Sequence, residues 1–566
     1  MPFPSTSAAH SIRSRSIPFL TASALSISLY AIHVYSQPLL NDEIQPNPLV
    51  TSVKKQRSPL AAAASPYTPL GWGSNRYLTL VSDPSVSTLK RPAPLSRLGS
   101  TPLRDLIVME RYGACVDAKG DCWMWGAGYD QSGQVGRSLK GKNISSLAPA
   151  PGKLIGLSRD GKLYVVSASK AFQDSRRYRK ERGWWSWLSS SDAGVDYVEL
   201  KAEGGLKGGE KWAGASAGLH HLLAVTTKGR TFSLPLSPSG NSHRQLGTRQ
   251  VFETPFPVPS SAASAIPSSP SLPPESDPRF ATTLTEIPSL SSIQIAQVIT
   301  SDRTSFVRTH NGRVLGFGAN EVGQIGLGAN AAVEIVQVPV EVVLAKNYPG
   351  GTQVNCLDIQ AGGQTTFFTV ERSTPGKGTF VDLLACGNGM SGALGNGLWS
   401  SASGSPVRVK TGLQEYSEKA NTFLPLGIHA VSISPSSTAH VYTTLDTVSQ
   451  ADDKGVAQGL YGKDVMVWGG NVDYQLGNGK RSSLAVPQHL PPLVKKAIDT
   501  LNLTPRSEAG ISSGTSSPMP HSRLQLHQST TDAFDLVGKL IKRNVRCEET
   551  MVACWNASVL YNKIIG

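Results

Sequence analysis

Cysteine is scarce, with six in 566 residues, too few for a scaffold built on disulfides. Cys115/Cys122 and Cys547/Cys554 each bracket six residues, and no second Cys or His pair at zinc-site spacing accompanies them. They read as small buried apolar side chains on strands. Charged residues make up only 17% of the chain, and the net charge of +14 is modest over this length. It suits a matrix protein, an anionic membrane surface or RNA equally, so it selects none of them. No phosphate-cradling loop and no paired-histidine motif is present, so neither cofactor nor metal is expected.

Long apolar runs are missing too, with one exception. Ile17 to Tyr35 is nineteen residues without a formal charge, about enough to cross a bilayer, although rich in Ser and Thr and with Pro18 near its start. Acidic residues are absent from residues 1–41, which carry Arg13 and Arg15 among serines. That composition fits a mitochondrial targeting segment over 1–16, followed by a membrane anchor over 17–35. A secretory signal peptide and a cleaved presequence are the competing readings. Residues 36–70 read as a Pro/Ala/Ser linker.

What is abundant is a recurring phrase. Phe317-Gly318-Ala319-Asn320 precedes Gly323-Gln324-Ile325-Gly326, and Trp468-Gly469-Gly470-Asn471 precedes Tyr474-Gln475-Leu476-Gly477. Cys386-Gly387-Asn388-Gly389 with Gly392-Ala393-Leu394-Gly395, and Trp125-Gly126-Ala127-Gly128 with Gly133-Gln134-Val135-Gly136, repeat it. A turn glycine stands five residues before the aromatic slot, as Gly312 before Phe317 and Gly120 before Trp125. Apolar runs flank that turn, so each unit contains a β-hairpin. Worn copies follow Gly161, with Val166 in the slot, and Gly229, with Leu234 in the slot and Gln245-Leu246-Gly247 behind it. At the start, Trp72-Gly73 lacks its own hairpin. The slots are therefore Trp72, Trp125, Val166, Leu234, Phe317, Cys386 and Trp468, with five of the glycine-bounded turns readable. A phrase repeated in this way means stacked copies of one supersecondary unit.

The pattern resembles the regulator-of-chromosome-condensation repeat. The resemblance implies an all-β, seven-bladed β-propeller of four-stranded blades over residues 71–566. The missing hairpin is expected from Asn544–Ala557, with its run Thr550 to Trp555, closing the ring and removing a sheet edge. An open β-solenoid of the same repeats is the alternative.

Three insertions interrupt the repeat, at 170–211, 255–292 and 505–522. The second and third are Pro/Ser-rich and read as disordered loops. The first carries Arg176, Arg177, Arg179, Lys180 and Arg182, then Trp184, Trp185 and Trp187. Basic residues beside tryptophans suit lipid headgroups, RNA or an acidic protein surface; alternatively the tryptophans pack on a neighbouring blade. This cluster is the candidate partner-binding site.

Gly214-Ala215-Ser216-Ala217-Gly218, followed by His220 and His221, imitates a nucleophile elbow. An elbow needs a strand-to-helix turn in an α/β sheet; here the motif follows the repeat, so no catalytic residue is assigned and no enzyme is expected. The resemblance extends to the family's mitochondrial members, which in fungi are implicated in assembling respiratory complex III. It implies a membrane-anchored docking and assembly factor in the inner membrane, with the propeller on the matrix side. Two other classes stay open. One is nucleotide exchange on a mitochondrial GTPase, as the family's founder performs through a loop that has no match here. The other is binding of RNA or the mitoribosome.

Overall fold

The computed structural model describes residues 66–173, 195–248, 273–328, 333–376, 378–399, 402–417, 421–448, 461–493 and 523–565. Residues 1–16 and 17–35, most of the linker, and 505–522 lie outside these. Among the described residues no helix is long and apolar enough to cross a membrane.

Local sequence dictates antiparallel meanders. In the clearest unit, Ile295–Thr300, Thr304–Thr309, Val314–Ala319 and Ile335–Glu341 pair in chain order. The second and third strands are joined by a short turn, closed by Gly312 N–H to Thr309 O (3.1 Å) and Thr309 N–H to Arg313 O (2.9 Å). Gly312 sits at φ 74°, and a side chain there would collide with Asn355. Only glycine takes that conformation without strain.

Three more sheets repeat this order: Asp105 to Leu139, Gln353 to Arg408, and Gly427 to His489. An eight-stranded sheet holds two such meanders, Ile144 to Ala202 and Trp212 to Glu286. Their outermost strands, Tyr197–Ala202 and Thr283–Glu286, join in parallel at Lys201↔Thr283 and Ala202↔Leu284. The final sheet has the spatial order Gln528–Phe534, Leu540–Ala553, Ala557–Ile564, Leu70–Ser74 and Thr88–Pro94. The chain's last strands and its first described ones thus share one sheet, with Gly71 opposite Val559. A separate hairpin, Gln414–Ser417 with Thr422–Pro425, lies in the connection between two sheets. The inner strands of successive sheets contact one another around a full ring, from Asp105–Val108 round to Leu540–Ala553. This is an all-β propeller.

Two expectations need correcting. The closing hairpin is not contained in Asn544–Ala557: Leu540–Ala553 is its first strand, Trp555 lies in the turn, and Ala557–Ile564 is its second strand. The insertions at 170–211 and 255–292 are narrower than their composition suggests. Tyr197–Ala202 and Thr283–Glu286 are outer strands, and Pro288–Leu290 is a short 3-10 turn.

All seven slot residues occupy equivalent third-strand positions and are essentially inaccessible to water. Where the slot is tryptophan, the indole N–H reaches the carbonyl of the preceding sheet's loop. Trp468 Nε1 donates to Ala393 O (2.8 Å), Trp72 Nε1 to Gln475 O (3.0 Å) and Trp125 Nε1 to Thr79 O (2.7 Å). A fully buried tryptophan removes about 200 Å² from water, worth about 5 kcal/mol at 25 cal/mol per Å². The glycine after it brings the chain against the next loop. Gly469 has φ 93°, a Cβ there would lie 2.4 Å from Ala439 O, and Gly470 N–H bonds that carbonyl at 2.9 Å.

Candidate functional site

One end of the propeller carries the short glycine turns. The other carries the loops between third and fourth strands, together with those between first and second strands. The loops at this second end are held by a shared device. Asn471 Oδ1 accepts the N–H of Leu476, Asn320 Oδ1 that of Ile325, and Asn75 Oδ1 those of Leu80 and Val81. The Asn75 bonds reveal a turn that its residues had hidden. Leu78-Thr79-Leu80-Val81 takes the place of Tyr474-Gln475-Leu476-Gly477, and Leu78 (φ 56°) matches Tyr474 (φ 64°). Gln173 likewise stands where Gln475 does, counted from slot Val166, and it is buried against Ser138 and Ser167. The asparagine three residues after Trp72 was the available signal for the first; for the second, only spacing was.

Two buried histidines, His221 beside the imitation elbow and His440, belong to this device. His221 Nε2 lies 2.8 Å from Ser305 Oγ, which donates to Gln245 O at 2.7 Å. His440 Nε2 lies 2.9 Å from Ser558 Oγ, which donates to Gln475 O at 2.8 Å. Each serine spends its proton on the carbonyl, so each imidazole donates from Nε2. Burial holds both imidazoles down to about 3, so they are neutral ties between adjacent sheets. Ser216 instead bonds Thr300, through Oγ1 and N–H at 3.0 Å each. His220 turns to Ser237 at 2.9 Å. Nucleophile and histidine are therefore not brought together. All six cysteines are free and buried, and Cys386 in its slot points its thiol at Gln324 O (3.3 Å). Among the described residues no group of His, Cys, Asp and Glu could hold a metal ion.

The inner strands enclose an axial cavity of about 300 Å³, within the range of ligand pockets. Its walls are aliphatic or carry hydroxyl and amide groups; Asp302, at the loop end, is its only formally charged lining residue. The Asp302 N–H reaches Gly363 O at 3.4 Å. Neighbouring loops close in tightly there, since a Cβ on Gly218 would lie 2.0 Å from Ser301 O. Burial pushes the Asp302 carboxyl up to about 6, against the opposing pull of Arg303. No local sequence pattern marks this cavity, because its wall is assembled from segments scattered along the chain.

The candidate residues Arg176, Arg177, Arg179, Lys180, Arg182, Trp184, Trp185 and Trp187 lie outside the described residues. The described residues that flank them, Gln173 and Val195, lie at the loop end. There Asp196 is held by both guanidinium nitrogens of Arg279, which ties the approach to Tyr197–Ala202 to the approach to Thr283–Glu286.

Residues 311–369 match the family model of the Regulator of chromosome condensation (RCC1) repeat. That stretch is an RCC1 repeat. The matched stretch begins at the Asn311-Gly312 turn, runs through slot Phe317 and ends in the second strand of the next sheet, so it spans one full sheet-to-sheet junction. Protein FMP25, mitochondrial, of Saccharomyces cerevisiae is 24% identical over 411 residues, covering 69% of this chain and 60% of that relative's length. Two solved RCC1-type structures share the fold. Prp20p from Saccharomyces cerevisiae, described for its binding to Gsp1p and histones, has a TM-score of 0.51 at 12% identity, covering 89% of this chain and 92% of its own. Human WBSCR16 has a TM-score of 0.51 at 13% identity, covering 88% of this chain and 100% of its own.

Proposed function

We propose that this RCC1-repeat chain is a non-enzymatic docking propeller of mitochondria, anchored in the inner membrane through residues 17–35 and serving the assembly of respiratory complex III. The mitochondrial relative matched over 69% of the chain is the observation that carries the location. The acid-free, Arg/Ser-containing first 41 residues agree with it. A docking role is supported by the chemistry of the described residues: buried histidines spent on structural ties, a serine bonded to threonine, and function left to loops on a rigid scaffold. We read the ring as seven blades, taking the eight-stranded sheet as two blades joined at their rims.

The client surface in this reading is the loop end, with Arg176, Arg177, Arg179, Lys180 and Arg182 beside Trp184, Trp185 and Trp187 as its contact. Confinement to a membrane raises the effective concentration of membrane-bound clients. Affinity isolation of a C-terminally tagged chain from gently solubilised mitochondria tests the reading. Complex III subunits are the expected co-purifying proteins, and their capture falls when Trp184, Trp185 and Trp187 are replaced together by Ala. A GTPase or ribosomal proteins in their place would overturn it, as would absence from mitochondria.

A further inference from the structure

We propose that the axial cavity is a binding site for an alkylammonium group, with Asp302 as its counter-ion. The site lies within the cavity and is independent of which protein docks on the rim. The cavity is large enough for a ligand, and its wall is predominantly aliphatic, as an alkyl stem requires. A single formal charge lies within it, a carboxylate at the loop end. Among the described residues that half-buried carboxylate accepts no hydrogen bond and enters no ion pair, whereas fully buried acids do: Asp382 binds Arg372 and Arg408, and Asp196 binds Arg279. A carboxylate drawn partly out of water without a protein partner is disfavoured in its charged form, and a cationic ligand supplies the partner that the fold does not.

An ammonium also brings further N–H donors, and acceptors are at hand. Gln360 gives its side-chain N–H to Asp358 (3.0 Å), which leaves its carbonyl oxygen free to accept. The hydroxyl pair Ser216 and Thr300 lies on the same wall. A metal ion is the wrong ligand, since one carboxylate without histidine, thiolate or a second acid does not make a coordination shell. The burial that raises the Asp302 carboxyl towards about 6 is the same desolvation that an entering cation would offset.

Calorimetric titration of the full chain at pH 7.5 with butylammonium tests the site, with butan-1-ol as neutral control. Butylammonium is expected to bind at least about tenfold more tightly than the alcohol. Asp302→Asn, nearly isosteric, is expected to remove that preference and leave the alcohol's affinity unchanged. A blocked lysine (N-acetyl-lysine methylamide) separates the sources: binding at least as tight as butylammonium points to a polypeptide side chain, and binding only of the free amine to a small metabolite-like amine. The wild-type chain gives a second reading that needs no variant. Its affinity for butylammonium should weaken between pH 7.5 and 5 as Asp302 takes up its proton. The neighbouring Arg303 guanidinium opposes that uptake. His220, on the adjoining loop and influenced by Arg303, Glu275 and His243, is held below the usual imidazole range by burial; its protonation acts in the same direction, so a His220→Asn chain must retain the effect. Equal affinity for amine and alcohol, a pH-independent affinity, or no binding in the millimolar range would each overturn the proposal.

Discussion

In the sheet of Trp468, an indole buried from water packs edge-on against Phe367 at 5.8 Å and donates 2.8 Å to a carbonyl of the preceding sheet. In the sheets of Val166 and Leu234 the same position holds an aliphatic side chain with no donor, and Ser167 and Pro235 replace the glycine that follows. Yet the bond made two residues past the slot survives there: Ala168 N–H reaches Gly152 O at 2.9 Å and Leu236 N–H reaches His220 O at 2.7 Å. What the worn pair loses in aromatic packing it replaces with other ties. Its rims pair in parallel, Arg279 grips Asp196, and Lys153 donates 2.8 Å to Leu236 O while lying over Phe280 at 5.0 Å. Burial draws the Lys153 ammonium down to about 8, the mark of a charge taken into the interior for this purpose. One architecture is thus held by apolar packing on one side and by polar ties on the other.

The largest expected effect breaks the comparison most directly. Trp468→Ala removes a buried ring and its hydrogen bond, for a loss of about 4 kcal/mol. Val166→Ala removes two methyl groups from the equivalent place, for a loss of about 2 kcal/mol. Urea unfolding of both variants measures the gap, and equal losses would mean that the slot matters equally whatever fills it.

Next comes the tie specific to the worn pair. Arg279→Ala leaves the Asp196 carboxylate, only 7% exposed, without its partner. A loss of about 3 kcal/mol is expected, in the range for breaking a buried pair. The same urea titration reads it, and proteolysis should open residues near Tyr197–Ala202 before the Trp468 sheet. A loss below about 1 kcal/mol, the value of a surface pair, would show that rim pairing alone suffices.

The contrast between the two regions also decided what was legible in the sequence. Trp-Gly and Asn-Gly carry chemistry that few other residues can perform: a buried N–H donor, and backbone at positive φ. They announced the repeat wherever they stood. Where Val166 and Leu234 do the packing, many residues would serve and the pattern fades. Leu78 escaped notice because it adopts φ 56° without being glycine. Tyr197–Ala202 was absorbed into an insertion because the basic run before it dominates the composition, and Thr283–Glu286, reading TLTE, has no apolar run. The axial cavity was illegible for a different reason. Asp302, in Ser301-Asp302-Arg303, looks like any turn acid until the ring closes around it.

The smallest expected effect sharpens the comparison by opposing two acids. Asp196 is paired, and removing its partner destabilises; Asp302 is unpaired, and neutralising it stabilises. Its carboxyl stands near 3.8 when unfolded and is raised to about 6 in the fold. Between those values the folded chain holds the proton that the unfolded chain releases, so stability falls as pH rises through this window and stays lowered above it. Asp302→Asn removes that penalty. A rise from 3.8 to about 6 amounts to about 3 kcal/mol at full strength. Solvent at the cavity mouth screens part of this, leaving a gain of about 1 kcal/mol at pH 7.5. Below about pH 3 the gain should vanish, because the wild-type carboxyl is then largely neutral in both states. Paired urea titrations at pH 7.5 and about pH 3 measure it. A loss of stability at pH 7.5 would mean that Asp302, like Asp196, is satisfied from within the protein, and the distinction between the two acids would fall.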